Sequence, residues 1–180
     1  MKRIYFLLLG IFFFSCTSLV YKNESNIDYD VYRTAYIDIF QGVSDYLVDS
    51  DILMLNSFFM DKLAVKSEFK SIYSYYNDQQ SKKSDSDCII NIYLLKMERE
   101  ENFDSDNNRI VTITIKLRVE VVDNNGSLIF FSDVKSTKER TIDKYASVDE
   151  INSSIYLLSI DVFKDCIDKI SSLFLRDLEI

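Results

Sequence analysis

The sequence predicts an α+β fold, a two-layer sandwich in which an antiparallel sheet of about four strands carries two main helices on one face. Three observations support this class. Residues 111–121 alternate strictly between apolar and polar side chains, which is typical of a half-buried strand. Asp123-Asn-Asn-Gly126 follows, and its Asn-Gly pair suits a tight hairpin turn. Ser147 and Glu150 then form a capping-box pattern that opens a long amphipathic stretch.

The first half of the domain is predicted to be mainly helical. A helix is expected from Asp30 to about Leu47, because apolar residues recur every three or four positions and Asp30 suits the N-cap. Residues 52–65 predict a second helical segment. Residues 67–76 fit either a strand or a helix, and an early strand is expected somewhere before residue 80. Residues 77–87 are polar and indicate a loop.

The second half is predicted to contain most of the sheet. Residues 88–97 have the composition of a strand, and the charged residues 98–108 are expected to form a loop. After the central strand and its turn, residues 128–141 return as the partner strand. The final helix carries an apolar stripe that includes Ile151, Ile155, Leu158, Val162, Cys166, Ile170 and Leu173.

The strand predicted at 88–97 has apolar side chains on both faces. Cys88, Ile90, Ile92 and Leu94 share one face, and Ile89, Tyr93, Leu95 and Met97 share the other. Since the helices can cover one face of the sheet, the other needs a loop of the same chain or a partner to cover it. The sequence leaves both alternatives open.

Composition argues against catalysis and against nucleic-acid binding. The chain of 180 residues has a net charge of −8 and contains no histidine. A strongly acidic domain lacks the basic patch that nucleic acid requires, and it is repelled by anionic headgroups. Without histidine, the commonest general base is missing. Residues 104–108 begin like a calcium loop but lack the later glycine and glutamate. We expect no enzyme activity, cofactor, metal or small-molecule substrate.

The N-terminal residues resemble the signal peptide of a bacterial lipoprotein. A short basic start precedes residues 4–14, an apolar run of a length typical of signal peptides and too short to span a bilayer. Phe13-Phe14-Ser15-Cys16 then resembles the lipobox of bacterial lipoproteins, although two phenylalanines replace the usual leucine and small residue. The resemblance implies cleavage before Cys16 and its modification with diacylglycerol and a fatty acyl chain. An ordinary signal peptide with an unrelated cysteine is the alternative.

These features divide the chain into three parts. Residues 1–15 form the signal peptide, residues 16–28 the lipidated N-terminus and tether, and residues 29–180 a single α+β domain. Loss of Lys2 and Arg3 with the leader changes the net charge from −8 to −10. The remaining cysteines, Cys88 and Cys166, are expected to be buried free thiols, although a disulfide is possible in an exported protein.

The layout also resembles a family of small envelope-assembly lipoproteins. The segments that carry the resemblance are CIINIYLLKMERE, the hairpin RIVTITIKLRVEVVDNNGSLIFFSD, the stretch STKERTID and the long C-terminal helix. The family is typified by the lipopolysaccharide-assembly lipoprotein LptE. The resemblance implies a non-catalytic accessory subunit of an outer-membrane assembly or lipid-transport complex, anchored at the periplasmic face beside a partner such as a β-barrel. A surface-displayed lipoprotein that binds host or environmental macromolecules is the alternative.

Candidate contact residues come from the hairpin and from the strand before it. Lys116 and Arg118 lie on the polar face of the best strand, and Lys135, Lys138 and Arg140 could extend a basic face toward phosphate or an acidic partner. A solvated face with cross-strand charge pairs is the alternative. On the neighbouring strand, Tyr93 and Leu95 are candidate partner contacts because they lie on its second apolar face.

Overall fold

The chain folds into a five-stranded sheet with two helices on one face, which confirms the predicted α+β sandwich with one strand more than expected. The computed structural model describes residues 27–77 and 80–175, so the predicted signal peptide, Cys16 and most of the predicted tether lie outside it. The elements are β1 (Thr34–Gln41), α1 (Asp49–Lys66), β2 (Ser71–Ser74), β3 (Cys88–Phe103), β4 (Arg109–Asp123), β5 (Leu128–Ile142) and α2 (Val148–Ser172). No helix in the described ranges has the length and apolarity needed to cross a membrane.

The sheet is mixed rather than wholly antiparallel. Its strand order is β2-β1-β3-β4-β5, with β1 parallel to both of its neighbours and the β3-β4-β5 meander antiparallel. The prediction of a purely antiparallel sheet is therefore wrong at β1 and β2. The reason is that α1 connects these two strands as a crossover, and a crossover of this length returns the chain in the same direction.

The helix predicted from Asp30 to Leu47 is wrong, since this segment contains β1. An irregularity between Ile37 and Phe40 places those two residues, three apart, in successive inward positions. Tyr36, on the opposite side of the strand, is also fully buried. A strand that is buried on both sides and interrupted by a bulge loses its period of two, and here its apolar spacing imitates that of a helix.

The other predicted elements are largely confirmed, with one extension. Residues 52–65 fall within α1, and the predicted capping box is present, with the Glu150 backbone N–H donating to the Ser147 hydroxyl at 3.3 Å. The predicted charged loop after Met97 is instead strand as far as Phe103, because β4 pairs with it along its whole length. Alternate charged side chains there form ion pairs along the strand, as Arg99 does with Glu101.

The core lies between the helices and the side of the sheet that faces them. Alternate residues of β4 are essentially inaccessible to solvent: Val111, Ile113, Ile115, Leu117, Val119 and Val121. Cys88 and Cys166 are both buried free thiols, as expected, and burial raises their pKa values to about 12 and about 11. The two helices lie side by side, and Lys62 and Lys66 of α1 both bind Asp168 of α2.

Candidate functional site

The sheet has an inner face, which α1 and α2 cover, and an outer face, which points away from both helices. On the outer face the side chains of β4 are partly exposed: Thr112, Thr114, Lys116, Arg118 and Glu120. These outer side chains are not committed to the core and are available for contacts outside the domain.

A β-bulge at Leu95 decides which side chains of β3 reach the outer face. Leu94 pairs with Leu117 and Lys96 pairs with Lys116, so Leu95 has no partner in β4. The extra residue reverses the alternation beyond it. Met97 therefore packs against the core, and the prediction that it shares the outer face with Tyr93 is wrong.

The bulge also completes a row of three lysines across the outer face. Lys96 of β3 lies opposite Lys116 of β4, and Lys116 lies opposite Lys135 of β5. We call these three residues the lysine row. Like charges that lie directly opposite each other on neighbouring strands are destabilising, so stability does not explain this arrangement. Arg118, the next outward residue of β4, adds a fourth positive charge to the same region.

Two carboxylates partly neutralise this region. Asp133 of β5 binds Lys116 and Arg118, each at 2.7 Å, and Glu98 binds Lys96. The hydrogen bond from Arg118, together with those from Lys116, holds the pKa of the Asp133 carboxyl below its usual value. Cross-strand charge pairs are thus present, as the alternative interpretation predicts. Within the described residues Lys135 has no ion pair. The Glu120 carboxylate of β4 also interacts with Arg118, so this region holds four cations and three anions in an otherwise acidic protein.

Aromatic side chains border the positive region. Tyr93 lies opposite Arg118 in the register of β3 and β4, and the Arg118 guanidinium sits 5.5 Å from the centre of the Phe131 ring. Partial burial and the nearby Glu120 carboxylate raise the pKa of Tyr93, so its phenol stays neutral. A neutral phenol and a phenyl ring beside guanidinium and ammonium groups can contact both apolar and anionic parts of a ligand.

The structure therefore groups most of the predicted contact residues. Lys116, Arg118, Lys135 and Tyr93 share the outer face, and Leu95 stands at the bulge beside them with 42% of its surface exposed. Whether they contact a partner stays a prediction.

Two other predicted basic residues belong elsewhere. Lys138 and Arg140 point to the helix side, where Lys138 donates to the backbone carbonyl of Asp161 and Arg140 binds the Asp161 carboxylate. The basic face predicted from all five residues is wrong for these two. Lys96 belongs to the positive region instead, and no local signal in the sequence reports the bulge that places it there.

One part of the outer face is covered by the chain itself. Lys83, from the segment before β3, forms an ion pair with Asp38 and lies 5.9 Å from the centre of the Tyr36 ring. The chain itself therefore covers part of the outer face on the β1 side, whereas cover of the second apolar face of β3 by a loop or by a partner stays a prediction. Over β3, β4 and β5 the outer side chains stay accessible. Three are partly exposed (Tyr93, Lys116 and Arg118), and two are well exposed (Lys96 and Lys135).

The described residues contain few of the features that metal binding or a ligand pocket requires. They contain no group of three or more cysteine, aspartate or glutamate residues placed to hold a metal. An open groove of about 490 Å³ lies between the end of β5 and the start of α2, but its Glu150 carboxylate is already engaged by Ser147.

Comparison with known proteins places the fold but not the family. No family model and no curated protein matches the chain. A minor lipoprotein from Acinetobacter baumannii matches with a TM-score of 0.50 and 13% identity, over 78% of this chain and 89% of its own. Uncharacterized lipoprotein B from Nitrosomonas europaea gives 0.44 at 14% identity, over 78% of this chain and 81% of its own. Rare lipoprotein B from Shewanella oneidensis matches with a TM-score of 0.44 and 8% identity, over 75% of this chain and 89% of its own. The first likeness supports a shared fold, and the two weaker ones add nothing to it.

Proposed function

We propose that this protein is a lipid-anchored, non-catalytic accessory subunit of an envelope assembly or lipid-transport complex. Its outer face is the surface that meets the partner. The lysine row carries the proposal, because three directly opposed lysines are held together in a chain whose net charge is −8. The partner is an envelope protein with an acidic surface, such as a subunit of an outer-membrane β-barrel complex.

Anchoring rests on Cys16 and the apolar run before it. Two or three acyl chains, at about 0.8 kcal/mol for each buried methylene, give a stable membrane anchor where one chain is marginal. The Acinetobacter baumannii protein with the same fold is itself a lipoprotein, which agrees with this assignment. The cysteine is followed by threonine rather than by the aspartate that retains some lipoproteins at the inner membrane. Threonine at this position supports transport onward to the outer membrane, and the proposed anchor faces the periplasm there.

The electrostatics explain why an acidic partner fits. Asp133 is shared between Lys116 and Arg118, so it cannot neutralise both, and Lys135 forms no ion pair in the described residues. A partner carboxylate or phosphate placed over the lysine row relieves this repulsion without rearranging the sheet. Such contacts speed association and select the partner, and they weaken as salt screens the charges.

Capture of the partner from solubilised envelopes tests this function. The lipidated protein is compared with a triple variant, Lys96→Gln, Lys116→Gln and Lys135→Gln, after mild crosslinking in a gentle detergent. Lys138→Gln is the matched control, because it removes a lysine from β5, the strand of Lys135, but on the opposite face of the sheet. We expect a defined envelope protein with the wild type and the control, and at least tenfold less of it with the triple variant. Recovery of a lone monomer, or equal capture by all three, contradicts the proposal.

Protease treatment of intact cells separates this function from surface display. A periplasmic accessory subunit is protected until the outer membrane is opened. Loss of the protein from intact cells instead supports the alternative, a surface-displayed lipoprotein that binds external macromolecules.

A further inference from the structure

The point at which the N-terminal segment joins the domain is fixed by several contacts. Ile27 is buried in the core. The Tyr29 hydroxyl donates a 2.6 Å hydrogen bond to the backbone carbonyl of Phe174, just past the end of α2. The Tyr29 ring also packs edge-on against Phe69, with 5.1 Å between ring centres. Any tether that leads to Cys16 therefore leaves the domain beside the end of α2.

The start of β5 lies at the same end of the molecule. The Phe174 ring is 6.1 Å from Phe69 and 6.5 Å from Phe130, which is the third residue of β5. The β4–β5 turn, residues 124–127, is thus also located here. We call this region the anchor end, defined by Ile27, the β4–β5 turn and the end of α2. The turn between β3 and β4 lies at the opposite end of the sheet.

The anchor end exposes apolar side chains around the point where the tether leaves. Val31 is 58% exposed, Leu128 is 55% exposed and Leu175 is 52% exposed. Residues 124–127 of the neighbouring turn carry no charge. Isolated exposed apolar residues need no explanation, but these three lie at the end of the molecule from which the tether leaves.

We propose that the anchor end docks on the bilayer itself, with Val31, Leu128 and Leu175 at the headgroup boundary and the β3–β4 turn pointing away from the membrane. This inference rests on the proposed lipid anchor. It adds an orientation and a second, non-covalent membrane contact to that anchor.

Chain length identifies the bilayer as the occupant of this surface. Residues 16–26 can span at most about 40 Å when fully extended, whereas β4 alone, with 15 residues, is about 50 Å long. A lipid on Cys16 therefore keeps the anchor end next to the membrane far more readily than the opposite end. The tether also raises the local concentration of this surface at the bilayer to the millimolar range, so a weak contact is sufficient.

Charge selects the kind of headgroup. Asp28, Asp30 and Asp123 lie at or near the anchor end, and the protein as a whole is acidic. Zwitterionic headgroups therefore accept this surface more readily than anionic ones.

Tryptophan substitution tests the orientation cleanly, because the native chain contains no tryptophan. Leu128→Trp and Leu175→Trp report on the anchor end. Tyr145→Trp and Phe103→Trp are matched controls at the opposite end, where the native side chains are 85% and 65% exposed. Each full mature chain is attached through Cys16 to vesicles of phosphatidylcholine with brominated acyl chains. A maleimide lipid serves for attachment, since Cys88 and Cys166 are buried and their raised pKa values keep them unreactive.

We expect bromine quenching at least threefold stronger at positions 128 and 175 than at 103 and 145, together with a blue-shifted emission. Addition of anionic phosphatidylglycerol should reduce the difference. Equal quenching at both ends, or stronger quenching at the opposite end, overturns the inference. Because attachment is chemical, this result does not depend on lipidation in the cell. Mass spectrometry of Cys16 in the native protein tests that part of the proposed function separately.

Discussion

The two faces of β4 differ in almost every property, although they belong to one strand. The inner residues Val111 to Val121 are buried under the helices and are all aliphatic. The outer residues between them are threonines and charged groups that remain partly exposed. The inner face serves the core, and its chemistry follows from folding. The outer face contains the lysine row, whose opposed charges oppose folding slightly and therefore call for another explanation.

Shortening a side chain should reduce stability far more on the inner face of β4 than on its outer face, and this is the largest difference that we expect. Ile115→Ala removes a fully buried side chain next to Cys166, whose thiol contacts the Ile115 carbonyl at 3.6 Å. We expect the free energy of unfolding to fall by about 2–5 kcal/mol, because a cavity remains. Thr112→Ala, on the outer face of the same strand, should cost about 1 kcal/mol or less. Urea denaturation measures both, and equal losses would contradict the division between the faces.

Removal of Asp133 should have a smaller effect that depends on pH. The bonds from Arg118 and Lys116 lower the pKa of this carboxyl in the folded state. Its contribution is therefore present above the unfolded pKa, near 3.9, and disappears as the pH falls through the lowered folded pKa.

In Asp133→Asn we expect a loss of about 1 kcal/mol or less near neutral pH, and the difference from the wild type should vanish in acid. Asp61→Asn, an exposed change of the same charge on α1, is the control. Denaturation midpoints across the acid range measure the effect. A difference that persists in acid would show that Asp133 acts through packing rather than through charge.

Deletion of Leu95 should have the smallest effect on stability. Without the bulge, Leu94 still points inward and the next residue, Lys96, still points outward, so the lysine row keeps its register. We expect a change in stability within about 1 kcal/mol. Protection of the β3 and β4 amides from hydrogen exchange should also be unchanged. Loss of protection in β3 would mean that the bulge itself is needed to align the strands.

The sequence predicted the parts of the molecule in which local pattern and tertiary environment agree. The hairpin around Asp123-Asn-Asn-Gly126 and the helix capped by Ser147 were predictable because turn chemistry and capping are local. β1 was not, since burial on both sides and the irregularity after Ile37 removed its period of two. The pairing with β4 kept the charged residues after Met97 in a strand, and no local signal reports that pairing.

The candidate site was predictable in part for the same reason. Lys116 and Arg118 follow from strict alternation in β4, and Lys135 follows from the hairpin. Lys96 depends on the bulge, which is a property of strand pairing that spacing along a single chain does not reveal. Lys138 lies three residues from Lys135 on the same strand, so alternation alone places it on the opposite face, and its assignment to the basic face was avoidable.

Lysine labelling in native envelopes tests the central claim, that a partner covers the lysine row. The acetylation rates of Lys96, Lys116 and Lys135 are measured by mass spectrometry in intact membranes and in the purified protein. We predict several-fold protection of all three in membranes, whereas the exposed Lys82, on the β1 side, keeps the same rate. Equal rates for the lysine row in both preparations would contradict the account.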